Sequence, residues 1–136
     1  MNIEDRSVVL DTNILISASI NENGAPAQLI RLVAAGKIIN YTTYDIIEEV
    51  RGVFEKNHIK KAVTEKDKDF LIKGFIEKSI IIIPKFDEKV IIEDPEDNKF
   101  INCALTVNAN IVSGDSHLLK LRKYKGIEIL SPKEFL

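Results

Sequence analysis

Cysteine is almost absent from this sequence: Cys103 is the one such residue in 136. No internal disulfide can form, so packing alone must hold the fold. Proline and glycine are scarce as well, at four and six residues. With 45% hydrophobic and 29% charged residues, that scarcity excludes a disordered tail and points to an ordinary folded chain. Long hydrophobic runs are missing too. The longest, Ile80 to Pro84, is far short of the roughly 20 residues that a membrane-spanning helix needs. There is no excess of positive charge, since 19 Lys and Arg face 21 Asp and Glu, and this excludes a polycation built to coat nucleic acid. Histidine is rare: His58 and His117 share no spacing that suggests zinc, and both read as ordinary surface or packing residues.

The size suits one domain over residues 1–136 with a real hydrophobic core and no separate linker. Asn2 to Arg6 is polar and acidic, unlike a signal peptide, so the expected location is cytoplasmic. Charges are sorted along the chain. Lys56, Lys60 and Lys61 with His58 form one basic stretch; Lys120, Arg122, Lys123 and Lys125 around Tyr124 form another; Asp87 to Asp97 is strongly acidic. Taken alone, each basic run reads as a solvated face.

Hydrophobic spacing alternates between two periods. Val8-Val9-Leu10 reads as a short buried strand that stops at Asp11-Thr12-Asn13. Gly24-Ala25-Pro26 opens a helix through Val33, closed by Gly36, and a second strand is expected at Ile38 to Tyr41. Thr43 is placed to cap a helix in which Ile46, Ile47, Val50, Val53 and Phe54 share a face. A further helix over about Glu65 to Lys78 leads to a third strand, Ile80 to Ile83, expected to be buried. Phe100, Ile101, Ala104 and Leu105 mark a helix ending near Asn108. Ile111 to Ser113 is a fourth strand, Leu118 to Leu121 a short helix, and Ile127 to Leu130 a last strand. Ser131-Pro132-Lys133-Glu134 has the form of a capping box. This alternation predicts an α/β fold: a parallel sheet with helices on both faces and right-handed crossovers.

In such sheets the functional crevice lies beyond the carboxyl ends of the strands. Asp11 and Asp115 each follow a strand and so are placed there, although either alone is also an ordinary turn or capping residue. Each helical residue advances about 100° around the axis. On that rotation Glu49 borders the apolar stripe of its helix, while Glu48 and Asp45 point to water. A carboxylate at the margin of a core needs a cation or donor, and a salt bridge to a lysine would serve as well as a metal. Asp97 falls in the first turn of its helix, on the apolar face; the helix dipole alone would also favour a negative charge there. Asp94 reads as a loop or capping residue. Four acids directed at one sheet edge repel unless they bind something positive. An oxygen-only set selects a hard cation such as Mg²⁺ or Mn²⁺, which suits phosphodiester hydrolysis, with flanking Lys and Arg on the phosphate backbone.

These residues resemble PIN domains. Val9-Leu10-Asp11-Thr12-Asn13 is similar to the family's opening motif, and Thr43 through Glu49-Val50 to its second acidic motif. Asp94-Pro95-Glu96-Asp97-Asn98 with Ala104, then Asn110 to Asp115, are similar to its third and fourth motifs. Single-domain PIN toxins of prokaryotic toxin–antitoxin pairs are the nearest likeness. The resemblance implies that Asp11, Glu49, Asp97 and Asp115 are catalytic, metal-binding acids supported by hydrogen bonds from Asn13 and Ser113, the latter standing where the family often has threonine. It also implies a three-layer α/β/α fold with a five-stranded parallel sheet in the order 3-2-1-4-5, a ribonuclease using Mg²⁺ or Mn²⁺, RNA as substrate, a cognate antitoxin and a homodimer. Lys120, Arg122 and Lys123, close after Asp115, are candidates for the RNA backbone. Two other readings compete. One is a PIN-like module that only binds RNA or protein. The other is a phosphoreceiver-like signalling domain, but that fold needs an aspartate after its third strand, where this chain has Pro84-Lys85-Phe86.

Overall fold

A computed structural model describes residues 6–136; the polar stretch Asn2 to Asp5 lies outside them. The chain runs β1 (Ser7–Leu10), α1 (Thr12–Ile20), α2 (Ala25–Ala34), β2 (Ile39–Thr42), α3 (Tyr44–Phe54), α4 (Asn57–Ala62), α5 (Glu65–Lys78) and β3 (Ser79–Ile81). A 3₁₀ turn over Pro95–Asp97 then precedes α6 (Asn98–Val107), β4 (Asn110–Val112), α7 (Ser116–Leu121), β5 (Lys123–Tyr124), β6 (Ile127–Leu130) and α8 (Pro132–Phe135). The sheet order is β3-β2-β1-β4-β6-β5. Its first five strands are parallel, in the order expected from the resemblance once β6 is counted as the fifth strand.

β1 is the centre. Val9 belongs to a core cluster on one face, with Ile46, Val50, Phe54, Phe100 and Ile111. Val8 and Leu10 point the other way, to Ile14, Leu29, Val33 and Val112. Side chains of a strand alternate between faces, so a strand with three successive apolar residues, Val8, Val9 and Leu10, must be covered on both, and this gives the three layers. A buried polar clip ties the middle of the sheet. Asn40 accepts from the Leu10 N–H at 2.9 Å and donates to Ser79 Oγ at 2.8 Å.

Besides the short α4, which the sequence reading did not expect, the fold differs from that reading in three places. The sixth strand, β5, pairs antiparallel with β6 through a two-residue turn, Lys125-Gly126, in which both residues have positive φ, 47° and 86°. That is the hairpin geometry glycine favours at its second position, and two paired residues leave no periodicity to detect. β3 is shorter than the isoleucine run and lies at the sheet edge. Ile80 is 45% exposed, because an edge strand has a neighbour on one side only, and Ile83, past the end of the strand, is 79% exposed. Finally, nothing in the residue spacing announces α1. Its sequence TNILISASI is apolar nearly all round and rich in β-branched residues, which are weak helix formers. It is helical because Asp11 caps it and because Thr12, Ile14, Leu15 and Ile16 are buried.

Where caps were readable, the elements follow them. Thr43 accepts from Ile46 N, and Ser131 with Glu134 completes the capping box; Thr64, not read as a cap, accepts from Asp67 N at the start of α5. α6 ends on Asn108 in the left-handed conformation, φ 56°.

Candidate functional site

Two ladders, β1–β4 and β4–β6, set the strand ends at which the site is built. The Asp11 N–H donates to Val112 O at 3.1 Å and the Ser113 N–H to Leu130 O at 2.9 Å, so both residues stand where β1 and β4 run out. Asp11 is buried. One carboxylate oxygen caps α1 by accepting from the Asn13 N–H at 2.6 Å, and the other accepts from the Ser113 hydroxyl. Ser113 Oγ in turn accepts from the Asp115 N–H at 2.9 Å. The hydroxyl therefore couples the two strand ends. Burial pushes the Asp11 carboxyl up from its ordinary 3.8 to about 6, against the hydrogen bonds of Ser113 and Asn13 and with a smaller push from the charge of Asp115.

Asp97 closes the 3₁₀ turn and enters α6. It is only 7% exposed, and its Oδ2 is buried with no hydrogen-bond partner. Desolvation first, then the facing Asp115 and the charges of Asp94 and Asp11, raise its pKa well above the carboxylate range. Asp115 caps α7 through the His117 N–H at 2.8 Å. Among the described residues, Asp94, Asp97, Asp115 and His117 each offer one ligand atom, and these atoms all lie within 4.8 Å of one another.

Glu49 is handled differently. As the helix rotation predicted, it is half-buried while Glu48 and Asp45 are exposed. Its two oxygens are taken by this chain's own donors: Thr12 Oγ1 donates to Oε2, and Lys99 Nζ donates to Oε1 at 3.2 Å. Lys99 also reaches Glu96 at 3.2 Å. Burial works against the Lys99 charge, but Glu49 and Glu96 outweigh it and raise its pKa.

Of the residues picked from sequence, then, Asp97 and Asp115 come together, Asp11 adjoins them through Ser113, and Glu49 is tethered to one side by Thr12 and Lys99. Asn13 contributes a backbone N–H, and its side chain is exposed. Thr12 was not singled out, nor was Lys99, although Lys99 lies two residues past Asp97 and a half-buried Glu49 asks for a cation. Asp94 and His117, read as loop and surface residues, belong to the acidic corner.

Asn98 was also missed. Its Oδ1 accepts from the Val90 and Ile91 N–H groups at 2.9 and 2.8 Å, and its Nδ2 donates to Ile91 O and Pro95 O, both at 3.0 Å. Asn102 exchanges bonds with the Glu88 backbone, and Thr106 accepts from the Lys85 N–H. Positions 98, 102 and 106 share one helix face, since residues four apart are neighbours. Their polar stripe clamps the segment 85–91 that delivers Asp94 and Asp97. Repetition of short polar side chains every fourth residue in an otherwise apolar helix was the available signal.

The basic run after Asp115 is mixed in its surroundings. Lys120, Arg122 and Lys123 are exposed, but Lys123 stands opposite Glu128 in the β5–β6 pair, and Arg122 and Lys123 border a shallow pocket with Glu128 and Glu134. Lys125 is bound by Glu88, which also accepts from the Tyr124 hydroxyl at 3.1 Å. No helix among the described residues is long and apolar enough to cross a membrane.

Comparison with known proteins agrees with this fold. A structure of VapBC2 from Rickettsia felis, bound to a DNA fragment from its promoter, superposes with a TM-score of 0.60 at 17% identity over 92% of this chain and 98% of that one, which shows the fold. An uncharacterised protein of Methanocaldococcus jannaschii is 36% identical over 138 residues, 95% of this chain and 88% of the relative. The PIN domain family matches residues 7–117, a span that holds β1 through the start of α7 with Asp11, Glu49, Asp94, Asp97 and Asp115, and on this match the chain belongs to the PIN domain family.

Proposed function

We propose that this protein is a divalent-metal-dependent ribonuclease that hydrolyses RNA phosphodiester bonds. PIN domains are generally nucleases and generally use divalent metals. The observation that carries the reading is the unpartnered Oδ2 of Asp97, buried beside Asp115 with Asp94 and Asp11 near by. A buried carboxylate oxygen without a donor is costly unless a cation meets it, and a set dominated by oxygen donors fits Mg²⁺ or Mn²⁺. Asp94, Asp97 and Asp115 would hold the ion, with Asp11 adjoining them through Ser113 and Glu49 able to join only by giving up Thr12 or Lys99. When bound, such an ion supplies the charge that activates a water and stabilises the leaving oxygen of a phosphodiester.

The chain's own residues do the positioning. Ser113 fixes the Asp11 and Asp115 sides relative to each other, and Asn98 fixes the loop that carries Asp94 and Asp97. Lys99 holds Glu49 in place and keeps a positive charge at the margin. Lys120, Arg122 and Lys123 would meet the RNA backbone, and neutralising them should lower the salt dependence of binding. The likeness to PIN toxins supports a toxin role, with a cognate antitoxin as partner and a second copy of this chain as another. Purified protein should cut a mixed single-stranded RNA pool with Mg²⁺ or Mn²⁺ and stop in EDTA. Metal-independent cleavage, or full activity in Asp97→Asn, would reject the assignment.

A second reading has one observation in its favour. With both oxygens of Glu49 satisfied by Thr12 and Lys99, the site resembles a silent module that binds RNA or protein without cutting it. RNA binding without turnover in either metal would select that reading.

A further inference from the structure

We propose that His117 is a nitrogen ligand to the ion held by Asp94, Asp97 and Asp115, so that this corner takes a first-row transition ion such as Mn²⁺ in preference to Mg²⁺. The proposal rests on the reading that the site binds a divalent cation, and it goes further by naming the donor set and the metal class.

Size is the first argument. Two ligands on opposite sides of a small octahedral ion stand about twice the bond length apart, roughly 4.2 Å for Mg²⁺. A set whose atoms all lie within 4.8 Å of one another therefore fits around a single ion. Acidic clusters of that size are common on protein surfaces, but this one includes Asp97, 7% exposed, whose Oδ2 has no donor at all. That orphan oxygen is independent of the clustering and marks the place where positive charge is missing.

Local backbone geometry brings the imidazole in. His117 is the second residue of α7, and its N–H donates to Asp115 Oδ1 at 2.8 Å. The cap turns the residue back toward the carboxylate, so that Nδ1 lies 3.7 Å from the same oxygen, with the side chain 44% exposed. The imidazole is thus the exposed member of a corner whose most buried member is Asp97. Imidazole is a good ligand for first-row transition ions and a poor one for Mg²⁺, which keeps to oxygen and water. One nitrogen in the set therefore moves the preference away from Mg²⁺. The competing explanation is a plain surface pairing of His117 with Asp115.

The chain has only two histidines, and His58 is exposed on α4, which makes a clean spectroscopic test. Mn²⁺ is bound to the full chain, and pulsed electron paramagnetic resonance is used to look for ¹⁴N coupling in the wild type, His58→Ala and His117→Ala. Calorimetric titration of Mn²⁺ and of Mg²⁺ runs alongside. The coupling should be present in the wild type and in His58→Ala and absent in His117→Ala. Mn²⁺ affinity should fall about tenfold or more in His117→Ala, with a much smaller change for Mg²⁺. If Mn²⁺ titrates into the wild type with no nitrogen coupling, His117 is not a ligand, while the metal-nuclease reading stands. If Mn²⁺ does not bind at all, both are overturned. Circular dichroism confirms that each variant is folded.

Discussion

Glu49 and Asp97 sit on neighbouring helices near the end of β1, and the fold treats their charges in opposite ways. Glu49 has a donor on each oxygen, Thr12 on one and Lys99 on the other. Asp97 is more deeply buried, has an oxygen with no donor, and faces Asp115. One acid is neutralised by the chain itself; the other is left for something the chain does not supply. Carboxylates near a sheet edge are therefore not equivalent because they share a motif, and the unbalanced one marks where a cation is most needed.

The largest effects should follow from removing that imbalance. On the proposed metal-nuclease reading, Asp97→Asn should cut RNA cleavage by roughly 10²-fold or more, because a direct holder of the ion would be lost. The same change should raise the melting temperature of the protein in EDTA at pH 8, because an uncompensated buried charge disappears. Glu49→Gln should not raise it, since there the charge already has its partner. Equal stabilisation by the two substitutions would erase the contrast between them.

Next in size are the positioning residues. Ser113→Ala removes the hydroxyl that couples Asp11 to the Asp115 backbone, and a loss of about 10- to 100-fold in metal affinity is expected. Asn98→Ala unclamps the loop before Asp97 and should do the same, visible as weaker Mn²⁺ binding by calorimetry in a protein that still melts cooperatively. Unchanged metal affinity in both would show that the acids are held well enough by their own backbone.

Much of this contrast was readable in the residues, and the part that was not has a physical reason. The strand ends at Asp11 and Asp115 follow from abrupt stops in buried runs, and the Glu49/Glu48 distinction from helical rotation. What pairs with Glu49 was out of reach: Lys99 is 50 residues away in sequence, and only the packing of α6 beside α3 brings them together. β5 and α4 are too short for any period to show, and α1 is helical through its cap and its burial in spite of its propensity. Read from composition alone, the isoleucines of β3 looked buried, because an edge position depends on the order of strands and not on their content.

A smaller effect comes from breaking the Glu49 side. Lys99→Met would leave a half-buried carboxylate with Thr12 alone. The cost should fall between that of an exposed pair and that of a buried one, roughly 1–3 kcal/mol, measured by urea unfolding without metal. Glu49→Gln added to Lys99→Met should restore most of it, because the uncompensated charge is then gone. Additive losses in the double variant would mean that Lys99 contributes through its packing and not through Glu49.

The subtlest prediction concerns pH, where the buried acids of the site and glutamates elsewhere on the surface oppose each other. Asp11 and Asp97 have folded-state pKa values above the ordinary 3.8, at about 6 for Asp11 and higher for Asp97. A raised pKa means that the folded protein holds these protons more tightly than the unfolded chain does. Their contribution is therefore fully present in acid and is lost as pH climbs from about 4 through 6 and beyond. Glu55, Glu88 and Glu134 are shifted the other way, by Lys60, by Lys125 and by the Ser131 backbone, so stability also declines once pH falls below the ordinary carboxylate range. In EDTA the melting temperature should consequently peak near pH 5 and fall toward pH 8. Saturating Mn²⁺ should remove most of the fall on the alkaline side, because the ion then meets the charges that burial penalises. In Asp97→Asn the alkaline fall should already be smaller without any metal, whereas in Glu49→Gln it should keep its wild-type size. A flat profile from pH 5 to 8 in EDTA would mean that water or a counter-ion reaches the Asp97 oxygen in solution, and the difference between the two acids would then be one of position alone.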